Sequence, residues 1–164
     1  MQQKNILISF IIAFLFWILL NNSFEPIILG VGAVVSFLIS VIFCRKCDAF
    51  SELKLTPLAF TYSIIYIFVF IYELIKSNLD VARRVLTPTL PINPGIVEVK
   101  TKLQSKMGRM VLANSITLTP GTLTIDIKDD TLYIHWIDVQ SEDINEATKA
   151  IVRKFEKYLE KIYG

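Results

Sequence analysis

Three long apolar runs occupy the first half of the chain. They extend from Ile6 to Leu20, from Ile27 to Cys44 and from Leu58 to Ile75, and Glu73 is the one charged residue among them. A helix needs about 20 residues to cross about 30 Å of hydrocarbon, a length that the runs reach when their polar ends are counted. The pattern therefore predicts three transmembrane helices at about residues 5–22, 26–44 and 57–76.

The polar turn at residues 21–26 is short, so the first two helices are predicted to form a hairpin. No small-x-small cleavage pattern follows Leu20, which argues against a cleaved signal peptide. The third helical pattern continues beyond the membrane to about Leu86. A helix lying flat in the membrane interface is the alternative for this segment, but its 18 residues from Leu58 are apolar all round, which favours a spanning helix.

The basic residues near the membrane do not decide the orientation of three spanning helices. Lys4, Arg45, Lys46 and Lys54 would lie on one side, and Lys76, Arg83 and Arg84 would lie on the other side with the C-terminal residues. The side richer in Lys and Arg is normally cytoplasmic, and four residues against three give no clear preference.

The second half of the chain has the pattern of a small α+β domain. Residues 87–95 contain three prolines and predict an extended linker. Alternating apolar and polar residues predict strands at 96–101, 122–127 and 131–139, the last two joined by a hairpin turn at 128–130. Helical spacing predicts a helix from Leu103 to about Ser115 and another at 142–163, capped by Ser141.

The predicted fold is thus a membrane protein with two parts. Residues 1–86 form the helical membrane region, and residues 96–164 form a domain of order β-α-β-β-α. Composition supports this division, because the first 76 residues contain five basic and four acidic side chains and the remaining ones contain twelve and eleven. A net charge of +2 lacks the basic excess of a nucleic-acid-binding surface, so nucleic acid is not an expected partner.

An ion pathway through hydrocarbon needs ionisable groups at depth, and the middle of each apolar run has none. Glu25 and Glu73 are the acids nearest the bilayer and are kept as weak candidates for proton sites. Glu25 lies in the hairpin turn and Glu73 one turn from the predicted end of the third spanning segment, where headgroup water reaches both.

Metal and thiol chemistry has little support. Cys44 and Cys47 form a CxxC pair, but zinc needs four ligands and His135 is the one other soft donor in the chain. We therefore predict no metal, no cofactor and no catalytic residue, and the pattern leaves open whether the two thiols form a disulfide. His135 is predicted to be a half-buried packing residue on the last strand.

Two groups of residues are candidates for contacts with other proteins. Small side chains on the second helix permit close helix approach, and these are Gly30, Gly32, Ala33 and Ser36. A hydroxyl-rich segment in the domain contributes Asn114, Thr117, Thr119, Pro120 and Gly121. Pro120 and Gly121 suit the central positions of a type II turn, which would present threonine side chains to a neighbour.

That segment, Leu-Ala-Asn-Ser-Ile-Thr-Leu-Thr-Pro-Gly-Thr at 112–122, resembles the E subunit of multisubunit Mrp or Mnh Na+/H+ antiporters of bacteria. Asn-Pro-Gly-Ile-Val at 93–97 and Tyr-Ile-His-Trp at 133–136 also match in order and spacing. The resemblance implies an accessory, non-catalytic subunit that supports assembly or full activity of a complex exchanging Na+ for H+. It also implies a multi-pass protein of the cell membrane, with its C-terminal domain in the cytoplasm and other antiporter subunits as partners.

The competing hypothesis is a membrane-anchored binding module whose C-terminal domain captures a small anion or a regulatory protein. An independent channel is a third possibility, which would need the helix hydroxyls to line a pore. None of these hypotheses makes the chain an enzyme.

Overall fold

The computed structural model describes residues 2–43, 52, 54 and 56–164. Its first two helices, α1 (Gln2–Asn21) and α2 (Pro26–Phe43), pack against each other as a hairpin. Asn22 opens the turn with a φ of 45°, a left-handed conformation that asparagine tolerates. The Trp17 indole of α1 donates a hydrogen bond of 3.0 Å to the Ile28 carbonyl of α2. The hairpin is therefore held by a polar contact as well as by packing.

The third apolar helix, α3 (Pro57–Leu86), has 30 residues. The Thr56 hydroxyl caps it by accepting a hydrogen bond of 3.1 Å from the N–H of Ala59, and proline at the first helical position needs no partner for a missing N–H. By length and composition alone, α1, α2 and α3 could each cross a membrane. Helix α3 extends well beyond residue 76, where the predicted spanning segment ends.

A three-stranded antiparallel sheet follows the linker. Its strands are β1 (Gly95–Lys100), β2 (Thr122–Lys128) and β3 (Thr131–Trp136), in the spatial order β1-β3-β2. The predicted hairpin joins β2 to β3, with Asp129 at a φ of 52°. Strand β3 ends earlier than predicted, because the backbone of Ile137 and Val139 pairs instead with Gly121 and Asn93.

Helix α4 (Lys106–Leu118) connects β1 to β2. It begins three residues later than the predicted Leu103, because the Ser105 hydroxyl caps it by accepting a hydrogen bond of 2.9 Å from the N–H of Gly108. At its other end the predicted type II turn is confirmed, since Gly121 has a φ of 92° and the N–H of Thr122 donates to the Thr119 carbonyl.

The last predicted helix is divided into α5 (Ile144–Ile151) and α6 (Arg153–Tyr163). Val152 is the C-cap of α5 and the N-cap of α6, and both Val152 and its neighbour Ile151 are buried in the core. The predicted Ser141 cap is wrong. Asp143 caps α5 through two backbone N–H groups, whereas the Ser141 hydroxyl accepts from the N–H of Asp143 itself.

The hydrophobic core lies between the sheet and helices α4, α5 and α6. Its fully buried side chains include Val99, Leu112, Ile116, Leu132, Ile134, Phe155 and Leu159. Three aromatic residues of α3, namely Tyr62, Tyr66 and Phe70, pack against this core from outside the sheet domain. Through these side chains α3 packs on the core as a fourth helix, which the predicted domain did not contain.

Contacts divide the chain into two compact units, Met1–Leu53 and Lys54–Gly164. The predicted order of elements is confirmed, since three apolar helices, the first two a hairpin, precede a small sheet with helices. The division between units, however, places α3 with the sheet, whereas the sequence pattern grouped α3 with α1 and α2. Sequence alone does not separate aromatic side chains that face lipid from those that face a protein core.

Candidate subunit-contact site

A polar seam joins α3 to the sheet domain. The Glu73 carboxylate and the Lys154 ammonium form an ion pair at 3.1 Å, with the Glu73 side chain only 14% exposed. In the last turn of α3, the Arg84 guanidinium contacts the Asp138 carboxylate at 2.8 Å and the Asp80 carboxylate at 2.7 Å. The sequence predicted that headgroup water reaches Glu73 near the end of the third spanning segment. The structure differs from this prediction, because α3 continues past Glu73 and the sheet domain covers its side chain.

A cavity of about 410 Å³ opens along this seam. It brings together Glu73 and three residues of the hydroxyl-rich segment, Thr119, Pro120 and Gly121. Three acidic and three basic side chains line it, namely Glu73, Asp80, Asp138, Lys76, Arg84 and Lys154. Among these, Arg84 forms ion pairs with both Asp80 and Asp138. Opposite charges thus neutralise each other in the wall, which makes the cavity a poor site for a bare anion or cation.

Thr119 does not present its hydroxyl to a neighbour, contrary to the prediction. The residue is 2% exposed, and its hydroxyl donates a hydrogen bond of 2.8 Å to the Ile116 carbonyl at the end of α4. The Thr122 hydroxyl donates to the same carbonyl at 2.7 Å. These hydroxyls therefore point back to the end of α4, where the Ile116 carbonyl also accepts the Thr119 N–H.

Asn114 and Thr117 lie apart from that cavity. Both are exposed and line a shallow groove between α4 and β2, together with Ile125 and Asp126. The Thr117 hydroxyl accepts a hydrogen bond of 3.1 Å from the N–H of Thr124, which ties α4 to the edge strand. The five predicted contact residues of the domain thus divide between two surfaces.

The outer face of the sheet is a surface that the predicted contact residues did not include. His135 is exposed there, not half-buried as predicted, and its cross-strand neighbours Ile96 and Leu123 are 65% and 49% exposed. The inner face of the sheet is covered by the helices, so this row of apolar side chains faces outward. The alternating pattern of β1 contains this signal, because Ile96 occupies a position where a water-facing polar residue is expected.

The four small residues of α2 have different surroundings. Gly32 and Ser36 are buried within the hairpin, and a Cβ atom at Gly32 would overlap the Trp17 ring. Gly30 is exposed and has no atom within 4 Å of the position of a Cβ. Ala33 is half-buried. Close approach at Gly32 and Ser36 therefore serves the α1–α2 contact, and Gly30 leaves room for another helix.

Glu25 is exposed in the hairpin turn, where its backbone N–H donates to the Ser23 hydroxyl. Cys44 and Cys47 lie outside the described residues. Within the part of the chain that the structure describes, no three His, Cys, Asp or Glu side chains come together as a metal site would require.

Residues 10–162 match the family described as Na+/H+ ion antiporter subunit, MNHE. The chain belongs to this family. Among similar members, the Na+/H+ antiporter E subunit of Alkalihalophilus pseudofirmus is 37% identical over 140 residues, covering 84% of this chain and 85% of that protein. The E1 subunit of the Staphylococcus haemolyticus antiporter is 34% identical over 165 residues and covers 96% of each chain. The predicted resemblance to antiporter E subunits is therefore confirmed.

A solved structure extends the comparison to three dimensions. A chain in the structure of the membrane-bound sulfane sulfur reductase, an archaeal respiratory membrane complex, is 44% identical to this one. It superposes with a TM-score of 0.82 and covers 94% of this chain and 96% of its own length. Family membership and the three apolar helices make this antiporter-family chain a membrane protein.

Proposed function

We propose that the chain is an accessory, non-catalytic subunit of a multisubunit Na+/H+ antiporter that exports Na+ in exchange for H+. The observation that carries this proposal is the chemistry of the apolar helices. From Asn5 to Phe43 the sequence has one ionisable residue, Glu25, which lies in the turn between helices. The Glu73 carboxylate of α3 is already paired with Lys154. A cation moving through hydrocarbon needs charged partners at depth, so the subunit would assist neighbours that have them.

Other subunits of the antiporter are the proposed partners. Gly30 offers an open position on α2 where a helix of another subunit could approach closely. The exposed row of Ile96, His135 and Leu123 offers a second surface on the water-soluble side. The open position at Gly30 and the exposed row on the sheet favour a role of this subunit in assembly rather than in ion binding.

The distribution of basic residues favours one orientation of the hairpin. The turn between α1 and α2 contains no Lys or Arg, whereas Lys4, Arg45 and Lys46 flank the opposite ends of the two helices. Positive residues are retained on the cytoplasmic side, so the N-terminus and residue 46 are proposed to be cytoplasmic. We also propose that the sheet with helices α4 to α6, residues 95–164, called the C-terminal unit from here on, lies in the cytoplasm.

The proposal is tested by deleting the gene and measuring Na+-dependent antiport in inverted membrane vesicles. We expect antiport to be lost or strongly reduced, and native gels to show a missing or incomplete complex. The wild-type gene and Glu25→Gln should both restore activity. Unchanged antiport with an intact complex after deletion would contradict an assembly role.

Glu73 gives a sharper test of the non-catalytic role. Glu73→Lys should impair assembly, because it places two positive charges at the seam. The combined exchange Glu73→Lys with Lys154→Glu restores an opposite-charge pair and should recover activity. A proton-carrying carboxylate at position 73 would not be rescued by this exchange, so failure of rescue in an assembled complex would argue for direct participation.

The solved structure favours a second candidate, a subunit of a respiratory membrane complex. The 44% identity to a chain of the archaeal reductase exceeds the 37% identity to the A. pseudofirmus antiporter protein, over a larger share of this chain. Purification of the tagged chain in mild detergent separates the two candidates. Co-purification of antiporter subunits alone supports the first, and co-purification of oxidoreductase subunits supports the second.

A further inference from the structure

One face of α3 is covered by the C-terminal unit along the whole helix. Three polar contacts mark its course: Lys54 to the Gly164 carbonyl at 3.4 Å, Glu73 to Lys154 at 3.1 Å, and Arg84 to Asp138 at 2.8 Å. Between the first two, the hydroxyls of Tyr66 and Ser115 form a hydrogen bond. Helix α6 therefore runs antiparallel beside the first half of α3, and the sheet end of the unit contacts the second half.

The opposite face of α3 is apolar and exposed. At about 100° per residue, Phe60, Phe68, Ile75, Leu79 and Leu86 lie on the side away from Tyr66, and their exposed fractions are 70%, 67%, 56%, 67% and 82%. Lys76 and Arg83 flank this face on one side, as basic residues flank the apolar face of helices that lie on membranes. In a typical amphipathic surface helix the second face is in water. In α3 the face that contains Tyr66 and Glu73 is covered by the C-terminal unit instead.

This packing is incompatible with a spanning α3. If α3 crossed the bilayer, the adjoining α6 would lie at the same depth, with the exposed Arg153, Lys157 and Lys161 in hydrocarbon. Charged side chains at that depth are costly and require partners. A helix of 30 residues is also longer than the about 20 that cross the hydrocarbon.

We propose that α3 lies along the membrane surface, with its outward apolar face in the outer hydrocarbon and the C-terminal unit on the water side. The occupant of this face is bilayer lipid, and Lys76 and Arg83 face anionic headgroups. Residues 44–56 connect α2 to α3, which keeps the start of α3 within reach of the bilayer. The inference concerns membrane placement and does not depend on which complex contains the chain.

This arrangement also decides the orientation. With two crossing helices, all seven basic residues near the membrane fall on one side: Lys4, Arg45, Lys46, Lys54, Lys76, Arg83 and Arg84. The hairpin turn on the other side has none. The positive-inside rule then places the C-terminal unit in the cytoplasm, whereas three crossings would place it opposite Lys4, Arg45 and Lys46.

The first test is labelling of single cysteines in the full chain, expressed with its complex and with Cys44 and Cys47 replaced by serine. Lys54→Cys and Thr89→Cys report the two ends of α3, and Ser23→Cys reports the hairpin turn. A membrane-impermeant maleimide should label the first two in inverted vesicles and the third in right-side-out vesicles. Labelling of Lys54→Cys and Thr89→Cys from opposite sides would overturn the proposal.

The second test measures depth with nitroxide labels at Phe60, Phe68, Ile75 and Leu79 and, as a reference within α2, at Val34. These side chains are exposed, so the labels leave the core intact. We expect similar ratios of oxygen to nickel-chelate collision at the four α3 positions, all below the ratio at Val34. A maximum at Phe68 would show a spanning helix, and low collision with both reagents would show a protein partner instead of lipid. Either result would overturn the proposal.

Discussion

The rings of Tyr66 on α3 and Phe155 on α6 meet edge to face, with centroids 6.3 Å apart and planes at 71°. Phe70 approaches the same ring from one turn further along, at 6.4 Å. Phe155 is fully buried. A single aromatic side chain thus joins the apolar helix α3, whose sequence is typical of a membrane span, to the core of the sheet domain.

Truncation of Phe155 should destabilise the C-terminal unit. Phe155→Ala removes a buried ring and its contacts with two aromatic neighbours, so we expect the free energy of unfolding to fall by about 3–5 kcal/mol. Denaturant titration of the full chain in mild detergent measures this change. Phe60→Ala is the matched control, because that ring is 70% exposed and its loss leaves no cavity. Equal effects of the two substitutions would be inconsistent with the observed packing of α3.

Two glycines of α2 provide a second matched pair. Gly32→Ala places a methyl group against the Trp17 ring, and we expect the hairpin to lose about 1–3 kcal/mol of stability. Gly30→Ala meets open space and should change stability by less than about 1 kcal/mol in the isolated chain. Unfolding in detergent followed by circular dichroism compares the two. A larger loss for Gly30→Ala would mean that the helices pack through a different face.

Glu156 is a buried carboxylate that organises the segment after β1. It is 1% exposed and accepts hydrogen bonds from the Thr101 hydroxyl at 2.7 Å and the Lys102 N–H at 2.6 Å. Glu156→Ala leaves these donors without an acceptor, so stability should fall by about 3 kcal/mol. Hydrogen exchange at the Lys102 amide should accelerate. Glu160→Ala, on the same helix but only partly buried, should leave that amide protected.

Tyr163 makes stability depend on alkaline pH. Burial raises the pKa of its phenol above the ordinary value of 10.0, so the folded state holds this proton more tightly than the unfolded state. The resulting stabilisation is complete below about pH 10 and is lost as the pH rises through the folded-state pKa. Tyr163→Phe should therefore flatten the fall in stability above that pH, measured by denaturant titration at a series of pH values. Tyr133→Phe, on the outer face of the sheet, is the control.

The sequence determined the elements of this protein because their signals are local. Apolar runs of helical length gave three helices, alternation gave three strands, and Pro120 with Gly121 gave a turn that needs a positive φ. The 112–122 segment was long enough to indicate the family without any structure. Helix ends were less accurate, because caps compete locally: Asp143 rather than Ser141 reaches the N–H groups of α5.

Only the tertiary structure decided which surfaces these elements present. A helix that is apolar all round is either buried in protein or surrounded by lipid, and the pattern of residues 58–75 is the same in both cases. The contacts of Tyr66 and Glu73 with the C-terminal unit show that one face of α3 belongs to a protein core. Burial of Thr119 and exposure of His135 were equally beyond the sequence, since both depend on residues distant in the chain that cover one side chain and leave the other open.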